Sequence, residues 1–187
     1  EAFNGSGRLC FAFSNHDVPR SASRQLSPLG ITLDKQDDLQ LLLLQLETSL
    51  IGSCCIYQGE ELGLSDVTNI QFDKMKDPWG LNFYPEFLGR DTCRTPMVWE
   101  KNKPMGGFTS ANESWLPISE LHMEKAGLDM ANSEGSIYNK FSSFLKWRRK
   151  QPAMISSNKM SKLFGGPSEI IFDRESETQI LRCKFDF

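Results

Sequence analysis

Arg8-Leu9-Cys10-Phe11-Ala12-Phe13-Ser14 is a short apolar run that stops in the polar Asn15-His16-Asp17. A continuous apolar run closed by turn residues has the make-up of a strand buried on both faces, as in parallel sheets. Turn formers follow, among them Pro19, Pro28 and Gly30, and the pattern then changes period. Over residues 34–51, Asp34, Asp37 and Asp38 come first, followed by Leu41, Leu42, Leu44 (or Leu43), Leu46 and Leu50, which predicts a helix with carboxylates at its positive end. Gly52 stops it. Ser53-Cys54-Cys55-Ile56-Tyr57-Gln58 predicts a second buried strand, and Gly59 opens the next loop. Strand, helix, strand, with polar residues just beyond each strand's C-terminal end, is the order of a parallel α/β structure, whose active sites lie at that end.

Residues 63–132 show no sustained period and carry Asp77-Pro78-Trp79-Gly80, Tyr84-Pro85, Thr95-Pro96, Lys103-Pro104 and Gly106-Gly107. A loop this long in a compact domain is generally functional. Helical character returns over residues 134–150, where Ile137, Phe141, Phe144, Leu145 and Arg148 share a face and Pro152 prevents continuation. Beyond it, residues 169–172 and 179–185 predict a hairpin around a polar turn at 173–178. The pattern has no internal repeat. A complete (β/α)8 barrel needs roughly 250 residues, so 187 residues hold a small α/β domain or a piece of something larger.

Composition narrows the function. Twenty-one Lys and Arg against 24 Asp and Glu give a net charge of −3, which is no footprint for nucleic acid. The longest apolar run, at Leu41 to Leu46, is far too short to span a bilayer. Glu1 to Gly7 has neither a basic nor an apolar region, so no secretory leader is expected. Five Cys form no C-x-x-C pair and cannot all be bridged, which points to a reduced, cytoplasmic setting. With only His16 and His122, neither a metal site nor a cofactor is expected.

The chemistry-bearing residues cluster beyond the two strands. His16 can donate to a sugar hydroxyl and Asp17 accept from one; equally, the tripeptide is a polar turn with an Asx-type bond from Asp17 before Pro19. Gln58-Gly59-Glu60-Glu61 offers carboxylates that either face a cleft or cap the next segment, and capping is the reading favoured. The stretch from Gly89 to Trp99 holds Arg90, Asp91, Arg94 and Trp99. Its Arg forks can orient a carboxylate or clamp hydroxyls and its Trp can stack on a sugar face; equally, an Arg–Asp pair over an aromatic plug simply locks the loop. His122 is expected at the surface, Lys146, Arg148, Arg149 and Lys150 at a solvated helix end, and Cys54-Cys55 as inert core.

Taken in order, the strings closely resemble the C-terminal part of glycoside hydrolase family 13, the α-amylase family, and most of all its bacterial α-glucosidases and oligo-1,6-glucosidases. They are Phe13-Ser14-Asn15-His16-Asp17-Val18-Pro19-Arg20, Ile56-Tyr57-Gln58-Gly59-Glu60-Glu61-Leu62-Gly63, Asp77-Pro78-Trp79-Gly80, Gly89-Arg90-Asp91, Cys93-Arg94-Thr95-Pro96-Met97 and Trp115-Leu116-Pro117. Thr92 and Val98 depart from the family's usual residues. The resemblance implies that residues 1–152 are the C-terminal part of a (β/α)8 barrel, with residues 63–132 as its long excursion. It implies that residues 153–187 begin a small all-β domain. It further implies retaining hydrolysis of α-linked gluco-oligosaccharides, with Asp17 as the transition-state-stabilising carboxylate and His16, Arg90 and Arg94 as substrate-binding residues. The family's nucleophile and acid/base lie on the N-terminal remainder of the barrel, which becomes this chain's partner, so the isolated chain is expected to be inactive. The alternative is a non-catalytic sugar-binding or protein-interaction relative, but such relatives tend to lose the Asn-His-Asp site that is intact here.

Overall fold

The structure, a computed structural model, describes residues 9–156 and 159–187; Glu1 to Gly7 and Arg8, the first residue of the expected strand, lie outside the described residues. Two parallel strands, β1 (Cys10–Phe11) and β2 (Ser53–Cys54), pair Cys10 with Ser53 and Phe11 with Cys54. Between them run α1 (Ser21–Gln25) and α2 (Gln36–Ser49). The strand–helix–strand order holds, but the ladder is far shorter than the apolar runs, and Cys10, Ser53, Cys54 and Cys55 are exposed. The expectation of buried strands, and of an inert Cys54-Cys55 core, is therefore corrected. Among the described residues each strand has one neighbour only, so its outer edge has nothing to bury against.

The Leu-rich helix α2 is the hub. Leu39 and Leu43 pack with Ala22 of α1, Leu44 packs with Ile137 and Phe141, and Leu46 joins Met154, Phe172, Cys183 and Phe185. A helix apolar on several sides is buried on several sides. Its last turn holds no basic residue of its own, and the terminal carbonyls a helix leaves open need outside donors. Arg148 Nε donates to the Thr48 carbonyl at 2.6 Å, and Arg174 Nη1 donates to those of Ser49 (2.6 Å) and Leu50 (2.9 Å). Arg148 thus departs from the expected solvated run, while Lys146, Arg149 and Lys150 are exposed. Because Arg174 is 2% exposed, Arg174→Met is expected to lower stability by about 2–3 kcal/mol in urea unfolding, through lost charge-assisted bonds.

Glu47, on the same helix, is also 2% exposed, and its Oε1 has no partner. Burial and the neighbouring Glu60 carboxylate, against a Phe13 backbone bond, push its carboxyl up to about 7. The Glu47 charge in turn helps burial to raise the Cys54 thiol. A carboxyl raised in the fold favours the native state at low pH, and that advantage fades as pH rises from the unfolded value through about 7. Glu47→Gln removes the titration. Relative to the parent, it is expected to gain up to about 3 kcal/mol between pH 4 and pH 8 in urea midpoints.

The segment between residues 63 and 132 contains α3 (Pro78–Phe83), α4 (Glu120–Met123) and α5 (Gly127–Asn132). Side chains take over the work of ladders here. Asp91 Oδ2 accepts from the Lys76 and Asp77 amides at 2.6 and 2.9 Å. His122, expected at the surface, is 1% exposed, with Nε2 2.8 Å from the Ser65 carbonyl. Burial lowers its proton affinity to about 4, so the ring is neutral and donates through Nε2.

The second predicted helix is α6 (Ile137–Arg148), which starts after the cap Ser136, whose Oγ accepts from the Asn139 amide at 3.1 Å. After α7 (Pro152–Ile155) comes an antiparallel meander of β3 (Lys159–Gly165), β4 (Glu169–Glu175) and β5 (Ile180–Asp186). Phe172 faces Cys183 and Ile170 faces Phe185 across the ladder, and this face packs on α2. The expected turn starts three residues too early. Asp173, Arg174 and Glu175 stay in the strand because Asp173 pairs with Arg182 and Glu175 with Lys159. No helix among the described residues is long and apolar enough to cross a membrane.

Candidate active site

The turn after β1 is built on an Asx bond: Asn15 Oδ1 accepts the Asp17 amide at 2.8 Å. The expected Asx turn exists, but Asn15 makes it. The Asp17 carboxylate is left free to point outward, with 53% of its side chain exposed. Two arginines from the long segment reach it. Arg94 Nη2 donates to Asp17 Oδ1 at 2.7 Å while Arg94 Nε donates to the His16 carbonyl at 2.6 Å. Arg90 Nη1 donates to the same Oδ1 at 3.3 Å. The His16 ring lies with Nε2 3.4 Å from Asp17 Oδ2. The four expected site residues, Asp17, His16, Arg90 and Arg94, thus stand together, although residues distant in sequence supply them.

Arg90 also turns away from the opening. Its Nε and Nη2 donate to Asp77 Oδ2 and Oδ1 at 3.0 and 2.7 Å, and its guanidinium lies 5.0 Å over the Trp79 ring. The Arg90 fork holds the Asp77 carboxyl well below the usual carboxylate range, and Asp77 in turn raises the Arg90 guanidinium. The lock expected within this stretch forms with a partner outside it: Arg90 pairs with Asp77 rather than Asp91, while Arg90 and Arg94 also reach the Asp17 carboxylate. The aromatic ring beneath the lock is Trp79; Trp99 borders Gly127 instead.

Beneath the site, the two strand ends are tied together. Glu60 is 1% exposed, and it accepts from the Ser14 and Ser21 hydroxyls at 2.5 and 2.9 Å and from the Tyr57 amide at 2.9 Å. Glu61 accepts from the Gly59 amide at 2.8 Å. Glu60 is buried and acts as a tie between the chain after β1, α1 and the chain after β2. Arg20, fully buried, donates from Nη1 to the Gln58 carbonyl at 2.7 Å and stacks 5.0 Å over Tyr57. Sequence reasoning missed Arg20 and Asp77. The only local signal for Asp77 was its place before Pro78, the pattern of a helix cap, and it does accept from the Trp79 amide at 3.4 Å.

One open carboxylate flanked by two guanidinium forks thus stands just beyond the C-terminal end of a parallel strand, where α/β barrels place their active sites. The family model for the alpha-amylase catalytic domain matches residues 1–157. The chain belongs to the alpha-amylase family. Among its relatives it is 45% identical over 148 residues to a probable alpha-glucosidase of Rhizobium meliloti (strain 1021), covering 79% of this chain and 26% of that protein. It is 26% identical over 191 residues to an oligo-1,6-glucosidase of Halalkalibacterium halodurans, covering 92% and 33%. Among solved structures, the alpha-glucosyl transfer enzyme XgtA superposes with a TM-score of 0.87 at 34% identity, over 99% of this chain and 33% of that one. This alpha-amylase-family chain spans about a quarter to a third of the length of these relatives. Over that stretch it shares the fold of a family of (β/α)8-barrel glycoside hydrolases.

Proposed function

We propose that the chain is the C-terminal part of a retaining α-glucosidase acting on terminal α-linked glucose of oligosaccharides. The observation that carries the reading is the state of Asp17: one oxygen is pinned by Arg94 and Arg90, and the other faces the His16 ring beside solvent. A carboxylate fixed in this way is set to accept sugar hydroxyls and to stabilise positive charge developing at the anomeric carbon. His16 donates to a neighbouring hydroxyl, and the Arg forks hold the Asp17 carboxylate in place.

Retaining hydrolysis needs a nucleophile and an acid/base carboxyl on either side of the scissile bond. Within the cluster the second carboxylate, Asp77, is buried and taken up by Arg90. By the family resemblance, the two principal carboxyls are assigned to an N-terminal remainder of the barrel. On this reading β1 and β2 are the seventh and eighth barrel strands, residues 1–152 belong to the barrel, and residues 153–187 open a C-terminal β domain. The exposed outer edges of β1 and β2 support that placement, and the odd count of five Cys supports a cytoplasmic setting. The stereochemistry tests the reading. Proton NMR of a gluco-oligosaccharide digest by the assembled enzyme is expected to show α-glucose first, with β-glucose growing in only by mutarotation. Initial release of β-glucose would refute retention.

A further inference from the structure

The buried end of the arginine cluster has no task in the reading above. The Asp77 side chain is 0% exposed and takes the Arg90 fork with both oxygens, while the Arg90 backbone N–H also donates to its Oδ2 at 2.6 Å. Asp77 is itself held from behind. Its own amide donates to Asp91 Oδ2 at 2.9 Å, beside that of Lys76. Gly89, at φ +69°, lets the Arg90 backbone close down on it: a Cβ at Gly89 would stand 2.6 Å from Asp77 Oδ2.

A guanidinium carries its five N–H donors in one rigid plane. With Nε and Nη2 committed to Asp77, that plane is fixed, and Nη1 is the nitrogen left to meet Asp17 at 3.3 Å. The two carboxylates and the two guanidiniums of Asp17, Asp77, Arg90 and Arg94 balance in charge. Without the Asp77 charge both forks would close on Asp17 and compete with sugar hydroxyls for its oxygens.

We infer that Asp77 is a positioning residue that sets the Arg90 fork and, through it, the geometry of the Asp17 carboxylate. The inference rests on the reading of Asp17 given above. Asp77 touches no substrate in this account; it acts only through Arg90, and that restriction is what can be tested.

The test uses the enzyme assembled from this chain and its upstream segment, with an aryl α-glucoside as substrate. Asp77→Asn is expected to lower kcat roughly a hundredfold, the loss that goes with a displacement of about 1 Å at a reacting group. Arg90→Met should lose as much, and the double variant no more than the worse single one, because the two changes remove one device. Losses that multiply in the double variant, or an Asp77→Asn enzyme within about threefold of the parent kcat, would overturn the inference. If Asp77→Asn does not fold, Asp77→Glu keeps the charge and displaces the fork; a kcat drop of about fivefold is expected, and an unchanged kcat overturns the inference. Asp17→Asn, run alongside, separates the two levels. If it leaves kcat intact, the reading of Asp17 fails; if it abolishes turnover while Asp77→Asn does not, only the positioning role fails. In the chain by itself, the Arg90 Nε–H is expected to give a slowly exchanging 15N–1H NMR signal that Asp77→Asn removes. An unchanged signal would contradict the fork geometry even where turnover is absent.

Discussion

Asp17→Asn is expected to lower kcat/KM of the assembled enzyme for an aryl α-glucoside by roughly a thousandfold, while the chain's unfolding midpoint barely moves. The size follows from the chemistry: a preorganised charge beside a developing cation is among the largest contributions a single group makes to catalysis. The small stability effect follows from the structure. Half of the Asp17 side chain is exposed, the turn is held by Asn15 rather than by Asp17, and an amide keeps one acceptor for Arg94. Partly exposed ion pairs of this kind contribute about 1 kcal/mol or less. A variant retaining more than about a tenth of the parent's kcat/KM would remove Asp17 from the chemistry.

Arg20→Met is expected to do the opposite, costing about 3–5 kcal/mol of stability in urea unfolding before any effect on chemistry is read. Arg20 is fully buried, and its guanidinium makes three contacts in two other parts of the chain: it donates to the Gln58 carbonyl after β2 and covers the adjacent Tyr57, and it donates to the Cys93 carbonyl in the long segment at 3.5 Å. Its backbone N–H sits 3.1 Å from both oxygens of Asp66. Burial raises the Asp66 and Glu61 carboxyls, and the Arg20 charge works against that rise in both. Met fills similar volume but takes the Arg20 charge away from both carboxyls. A loss below about 1 kcal/mol would mean that the guanidinium's desolvation cancels what it ties together.

Residues whose environment is set by near neighbours were legible in sequence. The Leu run at 41–46 announces α2 because its period and acidic start lie within the helix itself, and Pro152 keeps α6 from continuing for the same local reason. Pairing partners were less legible. The apolar runs around β1 and β2 read as buried, yet burial depends on neighbours that the run does not contain, and Cys54 and Cys55 emerge exposed. His122 reads as surface because its four-residue helix has too short a period to show an inner face, although the ring lies against Ser65. In the site, Asn15-His16-Asp17 and Arg90 to Arg94 were visible as two strings. What joins them was not: Arg90 and Arg94 reach Asp17 across 73 and 77 residues, and Asp77 meets Arg90 across 13; side-chain bonds at such separations leave no periodic trace.

The most direct measurement is hydrolysis of an aryl α-glucoside by this chain alone, by its upstream segment alone, and by the two together. Turnover in the mixture only, lost again on Asp17→Asn, is the result the proposed function predicts, with the stabilising carboxylate assigned to this chain and the nucleophile and acid/base to the upstream segment. Turnover by this chain alone would contradict the account, because it would place both principal carboxyls within residues 1–187.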